Sequence, residues 1–168
     1  MAELTQHTKK SGIDVSFTTN GTLLKPAIAD KILGYTDWIK VSINAGTKET
    51  YSKIHRTKEL NFDQVLDNMR HAEKVRKENN YQCTLGMQMV LLPENRYEAT
   101  TLAQIARDIG MDYLVIKPYS QHTQSSSTKY SSIKYAEFQY LGEELAEYNT
   151  DKFEVIFRAN TMESWDQG

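Results

Sequence analysis

Strand-like and helix-like segments alternate along most of this 168-residue chain, and the connections between them are short. Strands that alternate with helices usually pair in parallel, through right-handed crossovers. The sequence therefore predicts an α/β fold, a partial (β/α) barrel or open, mostly parallel sheet with helices outside. Its five strands are expected at residues 13–19, 38–43, 82–92, 112–118 and 153–157.

The other segments predict helices and one long loop. Helices are expected at residues 2–10, 26–35, 47–54, 61–79, 97–109 and 133–148. Residues 119–132 are too polar to pack, and we expect them to be mobile or to form a lid. The chain is thus expected to be one domain over residues 1–168, with β/α units in 1–118 and a terminal helix and strand in 133–168.

Composition limits the classes of protein to which the chain can belong. The net charge is −2 and the basic residues are scattered, so nucleic acid is not an expected ligand. No apolar run is long enough to cross a membrane, and the first ten residues do not resemble a signal peptide. A single cysteine excludes an internal disulfide and is compatible with the cytoplasm, which is the expected location.

Residues that could bind a metal ion are few and far apart. Cys83 falls within a predicted strand, where a small buried apolar side chain is expected. No histidine stands at a ligand spacing from Cys83, and the histidines are His7, His55, His71 and His122. The sequence therefore predicts no metal site in this chain.

Polar side chains stand at the points where the first two predicted strands end. Thr18 and Asn20 precede Gly21, and Ser42 and Asn44 follow the next strand. Because the carboxyl ends of parallel strands meet at one edge of a sheet, we expect these side chains to share a site. Ribose hydroxyls, an amino acid head group or water would each satisfy them, while Asn20 could instead satisfy its own turn.

Three more side chains are candidates for the same edge. Arg56 follows the short helix at 47–54, where its guanidinium either binds a carboxylate or remains on the surface. Gln88 alternates with two methionines and is expected to face the inside of the barrel. Lys117 ends the fourth strand and pairs either with an acidic substrate group or with a neighbouring carboxylate. These residues predict a ligand pocket without defining a reaction.

Residues 10–122, taken together, resemble the middle and later part of the core of radical S-adenosylmethionine (radical SAM) enzymes. Residues 15–24 resemble the third strand of that family and its Thr-Asn-Gly turn. Residues 38–56, with Ser-Ile-Asn-Ala-Gly, resemble its fourth strand and the helix that follows. The resemblance implies SAM as cofactor and, in an intact family member, a [4Fe-4S] cluster that cleaves SAM to a 5′-deoxyadenosyl radical.

The resemblance also implies roles for individual residues. Ser42 would hydrogen-bond the ribose or amino acid part of SAM, and Arg56 would meet its carboxylate. Thr18 and Asn20 would line the cofactor side. The residues implied to flank adenine are Val90 and Leu92, and those implied to face substrate are Asn44, Gln88 and Lys117.

The chain departs from the family in one essential feature. The family holds its cluster with three close cysteines, Cys-x-x-x-Cys-x-x-Cys, and this chain has Cys83 alone. We therefore expect a fragment of a radical SAM enzyme, with SPASM-type enzymes among the candidate relatives, that is inactive alone. Its substrate, a small molecule or a peptide, is not specified by the sequence.

Two alternatives remain open from the sequence. One is a cluster-free SAM-binding domain or a module completed by another polypeptide. The other is an unrelated (β/α) enzyme that acts on a sugar or phosphate substrate. In the fragment interpretation, the first strand lacks a neighbour on one side, so we expect this apolar edge to bind the missing amino-terminal portion or to self-associate.

Overall fold

The computed structural model describes residues 1–121, 124 and 126–167, and its strands form one fully parallel sheet. The five strands are β1 (Ser16–Thr19), β2 (Trp38–Ser42), β3 (Thr84–Leu91), β4 (Tyr113–Pro118) and β5 (Glu154–Phe157). They pair in chain order from β1 to β5, so every crossover advances one strand in the same direction. The predicted α/β fold with an open parallel sheet is confirmed.

The helices follow the predicted order with two differences near the carboxyl terminus. They are α1 (Ala2–Lys10), α2 (Pro26–Ile32), α3 (Lys48–His55), α4 (Leu60–Glu78), α5 (Ala99–Ile109), α6 (Leu141–Ala146) and α7 (Ala159–Gln167). The helix predicted at 133–148 is instead a short 3₁₀ turn, Tyr135–Phe138, followed by α6. Helix α7 was not predicted, so the last strand is followed by a helix as well.

The two faces of the sheet differ in chemistry because side chains alternate along each strand. The face toward the crossover helices is apolar and fully buried, with Ile39, Val41, Leu85, Met87 and Leu114 at 0% exposure. The opposite face, here called the inner face, carries polar side chains. In register across it stand Lys40 beside Gly86, Ser42 beside Gln88, and Val90 beside Lys117. A functional site is therefore expected on the inner face.

Strand β1 forms one edge of the sheet and, among the described strands, pairs only with β2. A small apolar cavity of about 180 Å³ lies beside this edge and is lined in part by Phe17, Leu23 and Ile28. Leu23 is 74% exposed there. No helix among the described residues is long and apolar enough to cross a membrane.

Candidate functional site

The carboxyl ends of β2 and β3 are joined by a polar network on the inner face. Gln88 donates from Nε2 to Ser42 Oγ at 3.4 Å, and Ser42 Oγ donates to Asn44 Oδ1, also at 3.4 Å. Gln88 is only 6% exposed, whereas Ser42 is half-buried. The structure therefore brings three of the predicted site residues together in one hydrogen-bonded group. Both bonds are long and therefore weak, so replacing one of them with a bond to a ligand hydroxyl costs little free energy.

Asn44 and Asn95 hold the two strand ends in this arrangement. Asn44 has φ 57°, a left-handed conformation that asparagine tolerates better than most residues, and its Oδ1 accepts the Val90 amide at 2.8 Å. Asn95 has 0% exposure. Its Nδ2 donates to the carbonyls of Asn44 and Val90, and its Oδ1 accepts the Leu92 amide. The main-chain path past both strand ends is thus fixed by the buried amide of Asn95 and the half-buried amide of Asn44.

The turn after β1 is built by local bonds. Asn20 Oδ1 accepts the Thr22 amide at 3.1 Å and the Thr22 hydroxyl at 2.8 Å, the pattern of an Asx turn. Gly21 has φ 79°, and a Cβ there would lie 2.9 Å from side-chain atoms of Val41 and Val65. Asn20 and Thr18 are both exposed, with Thr18 in register with Lys40 on the inner face. The Asn20 oxygen is thus engaged locally, as the turn interpretation of this residue anticipates.

Arg56 is presented at the carboxyl end of α3 next to the end of β2. His55 Nε2 lies 2.8 Å from the Ile43 carbonyl, which ties the last turn of α3 to the residue after β2. Arg56 itself has φ 51° and is exposed. Within the described part of the chain its guanidinium forms no ion pair. A free guanidinium at this edge is available to a carboxylate.

The amino end of α3 is held by one carboxylate, Glu98. Glu98 Oε2 accepts the amides of Gly46 and Thr47 at 2.8 and 3.0 Å. Glu98 Oε1 accepts the hydroxyls of Thr47 and Thr50 at 2.9 and 2.5 Å. A carboxylate that accepts helix amino-terminal donors is a strong cap. Glu98 therefore sets the position of α3, and with it the position of Arg56.

A cavity of about 700 Å³, here called the inner cavity, opens on the inner face between β2, β3, β4 and α7. Its described lining includes Lys40, Gln88, Tyr113, Lys117, Arg158 and Trp165. The tip of the Tyr113 ring lies directly over Gly86, because a Cβ at that glycine would be 2.1 Å from Tyr113 Cζ. Gly86 thus leaves the room that the Tyr113 ring occupies. Gln88 belongs both to this lining and to the network with Ser42.

The predicted adenine-flanking residues lie at the end of β3. Val90 is half-buried on the inner face, in register with Lys117, and Leu92 is 5% exposed just beyond the strand. Lys117 is exposed at the end of β4. The structure therefore gathers Ser42, Asn44, Gln88, Val90 and Lys117 along one edge, whereas Thr18 and Asn20 lie at the sheet's outer strand.

Sequence reasoning missed Arg158 and Trp165, which line the inner cavity from the segment after β5. The spacing of Met162 and Trp165, three residues apart, is the signal that could have predicted α7. Met162 is fully buried, and Trp165 Nε1 donates to the Ile133 carbonyl at 3.3 Å. Trp165 also meets Tyr119 edge to face, at 6.0 Å between ring centroids.

The segment after β4 is anchored where the structure describes it. Tyr135 is fully buried, and its hydroxyl accepts the Tyr119 amide and donates to the Leu91 carbonyl. Burial raises the pKa of Tyr135 to about 12, so it remains a donor. Glu94 Oε1 accepts from Lys129 Nζ at 2.5 Å. Burial by itself would raise the pKa of Glu94, but hydrogen bonds from Lys129 and Tyr130 outweigh it and the pKa is lowered.

The loop at 119–132 was predicted to be too polar to pack, but its two ends pack against the rest of the chain through Tyr119 and Tyr130. Residues 122, 123 and 125 lie outside the described residues. His122, one of the scattered histidines, is among them. In the part of the chain that is described, no group of three His, Cys, Asp or Glu side chains could hold a metal ion. Cys83 is 2% exposed, and burial raises the pKa of its thiol to about 12.

The chain was compared with families of known proteins. The model of the radical SAM superfamily matches residues 1–105, which include β1, β2, β3, α3 and the edge network. The chain belongs to the radical SAM superfamily. This result confirms the resemblance noted in the sequence and overturns the alternative of an unrelated (β/α) enzyme.

Among curated relatives of this radical SAM protein are two probable GTP 3′,8-cyclases, from Saccharolobus islandicus and Saccharolobus solfataricus. They are 30% and 29% identical over 113 residues, which is 67% of this chain and 34% of each relative. The matched segment therefore spans about a third of the length of these relatives.

Solved structures of radical SAM proteins share the fold. Streptococcus suis SuiB matches with a TM-score of 0.72 and 14% identity, over 94% of this chain and 36% of SuiB. SuiB bound to S-adenosylmethionine matches with a TM-score of 0.69 and 15% identity, over the same shares of the two chains. A domain of pyruvate-formate lyase-activating enzyme from Bacteroides vulgatus ATCC 8482 matches at 0.60 and 10% identity, over 92% of this chain and 88% of that domain.

The family implies two cofactors, SAM and a [4Fe-4S] cluster, and the described residues fit only the first. SAM carries ribose hydroxyls, a carboxylate and adenine. The edge offers a hydroxyl and a buried amide on Ser42 and Gln88, a free guanidinium on Arg56 and an apolar flank on Val90. A cluster of this type needs several cysteine thiolates, and the chain has one cysteine, buried with a raised pKa.

Proposed function

We propose that this chain forms the SAM-binding and substrate-facing part of a radical SAM enzyme, along the carboxyl ends of β2, β3 and β4. The observation that carries the proposal is the hydrogen-bonded group of Ser42, Asn44 and Gln88. Arg56 follows the helix whose last turn is bonded to the Ile43 carbonyl, and its guanidinium forms no ion pair with the described residues. One buried and two half-buried polar groups at a strand end, with only long bonds between them, are suited to a polar ligand.

Each group in this proposal has one task. Ser42 hydrogen-bonds the ribose or amino acid part of SAM, Arg56 binds the carboxylate in a bidentate manner, and Gln88 faces substrate from the inner cavity. Val90 and Leu92 flank adenine, while Thr18 and Asn20 line the cofactor side from β1. Asn44, with Oδ1 engaged by the Val90 amide, faces substrate through its remaining amide nitrogen. SAM supplies the 5′-deoxyadenosyl group from which this family generates a hydrogen-abstracting radical.

The same proposal holds that the chain does not cleave SAM by itself. Its residues do not fit a cluster, and Cys83 is buried away from the carboxyl edge at the start of β3. Anaerobic incubation with iron, sulfide, dithionite and SAM should yield no 5′-deoxyadenosine above a protein-free control. Formation of 5′-deoxyadenosine by the purified chain would contradict this part of the proposal.

The SAM site is tested by calorimetric titration of the chain with SAM. We expect Ser42→Ala and Arg56→Ala each to weaken binding about tenfold, since a lost hydrogen bond to a charged group costs about 1.5 kcal/mol or more. Lys53→Ala removes an exposed cation from the same helix as a matched control and should leave the affinity within twofold. Equal losses in all three variants, or no binding by the wild-type chain, would contradict the SAM site.

The free edge of β1 favours a second proposal, a module whose sheet is completed by another polypeptide or by a second copy. The described part of β1 pairs on one side only, and Leu23 is exposed next to the apolar cavity at that edge. Sedimentation velocity should show concentration-dependent association that Leu23→Glu reduces. A monomer at all concentrations would contradict self-association.

A further inference from the structure

Three cations line the inner cavity, and the ammonium of Lys40 also lies 5.7 Å from the centre of the Trp38 ring. Lys40 comes from the middle of β2, Lys117 from the end of β4, and Arg158 from the residue after β5. Within the described chain none of the three forms an ion pair. Lys117 and Arg158 are exposed and Lys40 is half-buried, so water screens their mutual repulsion and leaves all three charges accessible to an anion.

The described carboxylates on β5 and α7, including Glu163, lie outside the lining of this cavity. None of the described residues that line the inner cavity is acidic. Glu154, the first residue of β5, is in register with Tyr113 and is not among the residues that line the cavity. Asp166 of α7 accepts the amides of Tyr135 and Ala136 and is thereby engaged. The positive charge of the cavity is therefore available to a ligand.

Apolar and aromatic groups form the rest of the wall. Val115 is in register with Gln88 on one side and with Ile156 on the other, and Trp165 lines the cavity from α7. Tyr113 covers the floor over Gly86. A ligand that fills about 700 Å³ in these surroundings has an apolar part in addition to its charges.

We propose that the inner cavity binds the substrate and that this substrate is a small organic anion with at least two negative charges, carried by phosphate or carboxylate groups. Lys117 and Arg158 bind its charged groups at the carboxyl edge, Lys40 binds from the floor, and its apolar part lies against Trp165. This inference rests on the proposed function, since it assigns the substrate class of the same site. It assigns SAM and substrate to different cations, with Arg56 on the cofactor side.

The experiment titrates the full chain with inorganic triphosphate and, separately, with citrate. We expect at least one of them to bind, and Lys40→Gln, Lys117→Gln and Arg158→Gln each to weaken that binding about tenfold. Lys152→Gln, which removes an exposed cation outside the inner cavity, is the control and should change affinity less than twofold. Tighter binding of triphosphate assigns a phosphate-bearing substrate, and tighter binding of citrate assigns a polycarboxylate.

Two results would overturn the inference: neither anion binds, or Lys152→Gln weakens binding as much as the cavity variants. Failure of the proposed function gives a different pattern. In that case SAM does not bind, whereas the anion still binds and remains sensitive to Arg158→Gln. When both hold, Ser42→Ala weakens SAM about tenfold and leaves triphosphate or citrate within twofold.

Discussion

Removal of the Asn95 side chain should loosen the carboxyl edge of the sheet more than any surface change nearby. Asn95 is completely buried and makes three hydrogen bonds at 2.8, 2.8 and 2.9 Å. A typical hydrogen bond contributes about 1 kcal/mol net, and main-chain groups left unsatisfied after Asn95→Ala add to that loss. We expect the free energy of unfolding to fall by about 3–4 kcal/mol.

Urea denaturation followed by circular dichroism measures this change. With a slope of about 2 kcal/mol/M, the midpoint should fall by roughly 1.5–2 M while the slope stays the same. Asn95→Asp should cost at least as much as alanine. It keeps the oxygen that accepts the Leu92 amide but sets a buried carboxylate against the carbonyls of Asn44 and Val90.

Asn160→Ala is the control. Asn160 is exposed on α7, and its main-chain carbonyl, which the variant keeps, accepts the Ser164 hydroxyl. Its midpoint should move by less than about 0.3 M. A shift of that small size for Asn95→Ala would show that Asn95 does not hold the strand ends together. Equal shifts in the two variants would refute the reasoning as well.

Three further changes test other parts of the structure. Gly86→Ala places a Cβ 2.1 Å from Tyr113 Cζ, so the ring must leave the floor of the inner cavity, which a lowered thermal midpoint and altered tyrosine fluorescence would show. Glu98→Ala removes the carboxylate that accepts from Gly46, Thr47 and Thr50, while Thr47 Oγ1 still accepts the Thr50 amide. It should cost about 2 kcal/mol in urea denaturation, and an unchanged midpoint would argue against a role of Glu98 in holding α3. The pKa of Glu94 is lowered in the folded state, so its ionised form stabilises the fold. The free energy of unfolding of the wild type should exceed that of Glu94→Gln by a constant amount above pH 4.5, the ordinary pKa of Glu94. This difference should shrink as the pH falls through the lowered pKa of the folded state. Denaturation between pH 3 and 7 checks this, and a difference that grows toward low pH would contradict it.

The alternating pattern of the sequence predicted the sheet because each strand buries one apolar face. Helix α4, predicted at 61–79, shows why periodicity works here. Its apolar residues recur at three- and four-residue spacing, and those that are buried are Phe62, Val65, Leu66, Met69 and Ala72, while Val75 is partly buried. The helix predicted at 97–109 ends at Ile109, and Gly110 caps it with φ 92°. Such features depend on local spacing alone, so a single sequence reveals them.

The carboxyl-terminal helices were harder to predict because distant contacts decide their form. The segment at 133–148 has a helical pattern, yet the Tyr135 hydroxyl is bonded to the Leu91 carbonyl and its amide to Asp166. These bonds fix the direction of the chain before α6 begins. Helix α7 is short and packs through Met162 and Trp165. The bonds of Tyr135 are not visible in the local sequence, whereas the spacing of Met162 and Trp165 is a local signal of α7.

Part of the site could be predicted from the alternation of side chains along the strands. Ser42 and Gln88 lie together because alternation sends both to the inner face, and parallel register then sets them side by side. The engagement of Asn44 with the Val90 amide depends on a left-handed backbone that the sequence does not specify. The position of Arg158 beside the inner cavity depends on the path of the chain after β5, which the sequence does not show.

The most direct test of the SAM site at the carboxyl edge is amide chemical-shift mapping by nuclear magnetic resonance during titration with SAM. If SAM binds at this edge, the amides of Ser42, Asn44, Gln88 and Val90 shift with one common binding curve. Amides at the opposite ends of the strands, such as that of Thr84, should remain unchanged. Shifts confined to the amino-terminal ends of the strands, or none at millimolar SAM, would contradict the SAM site.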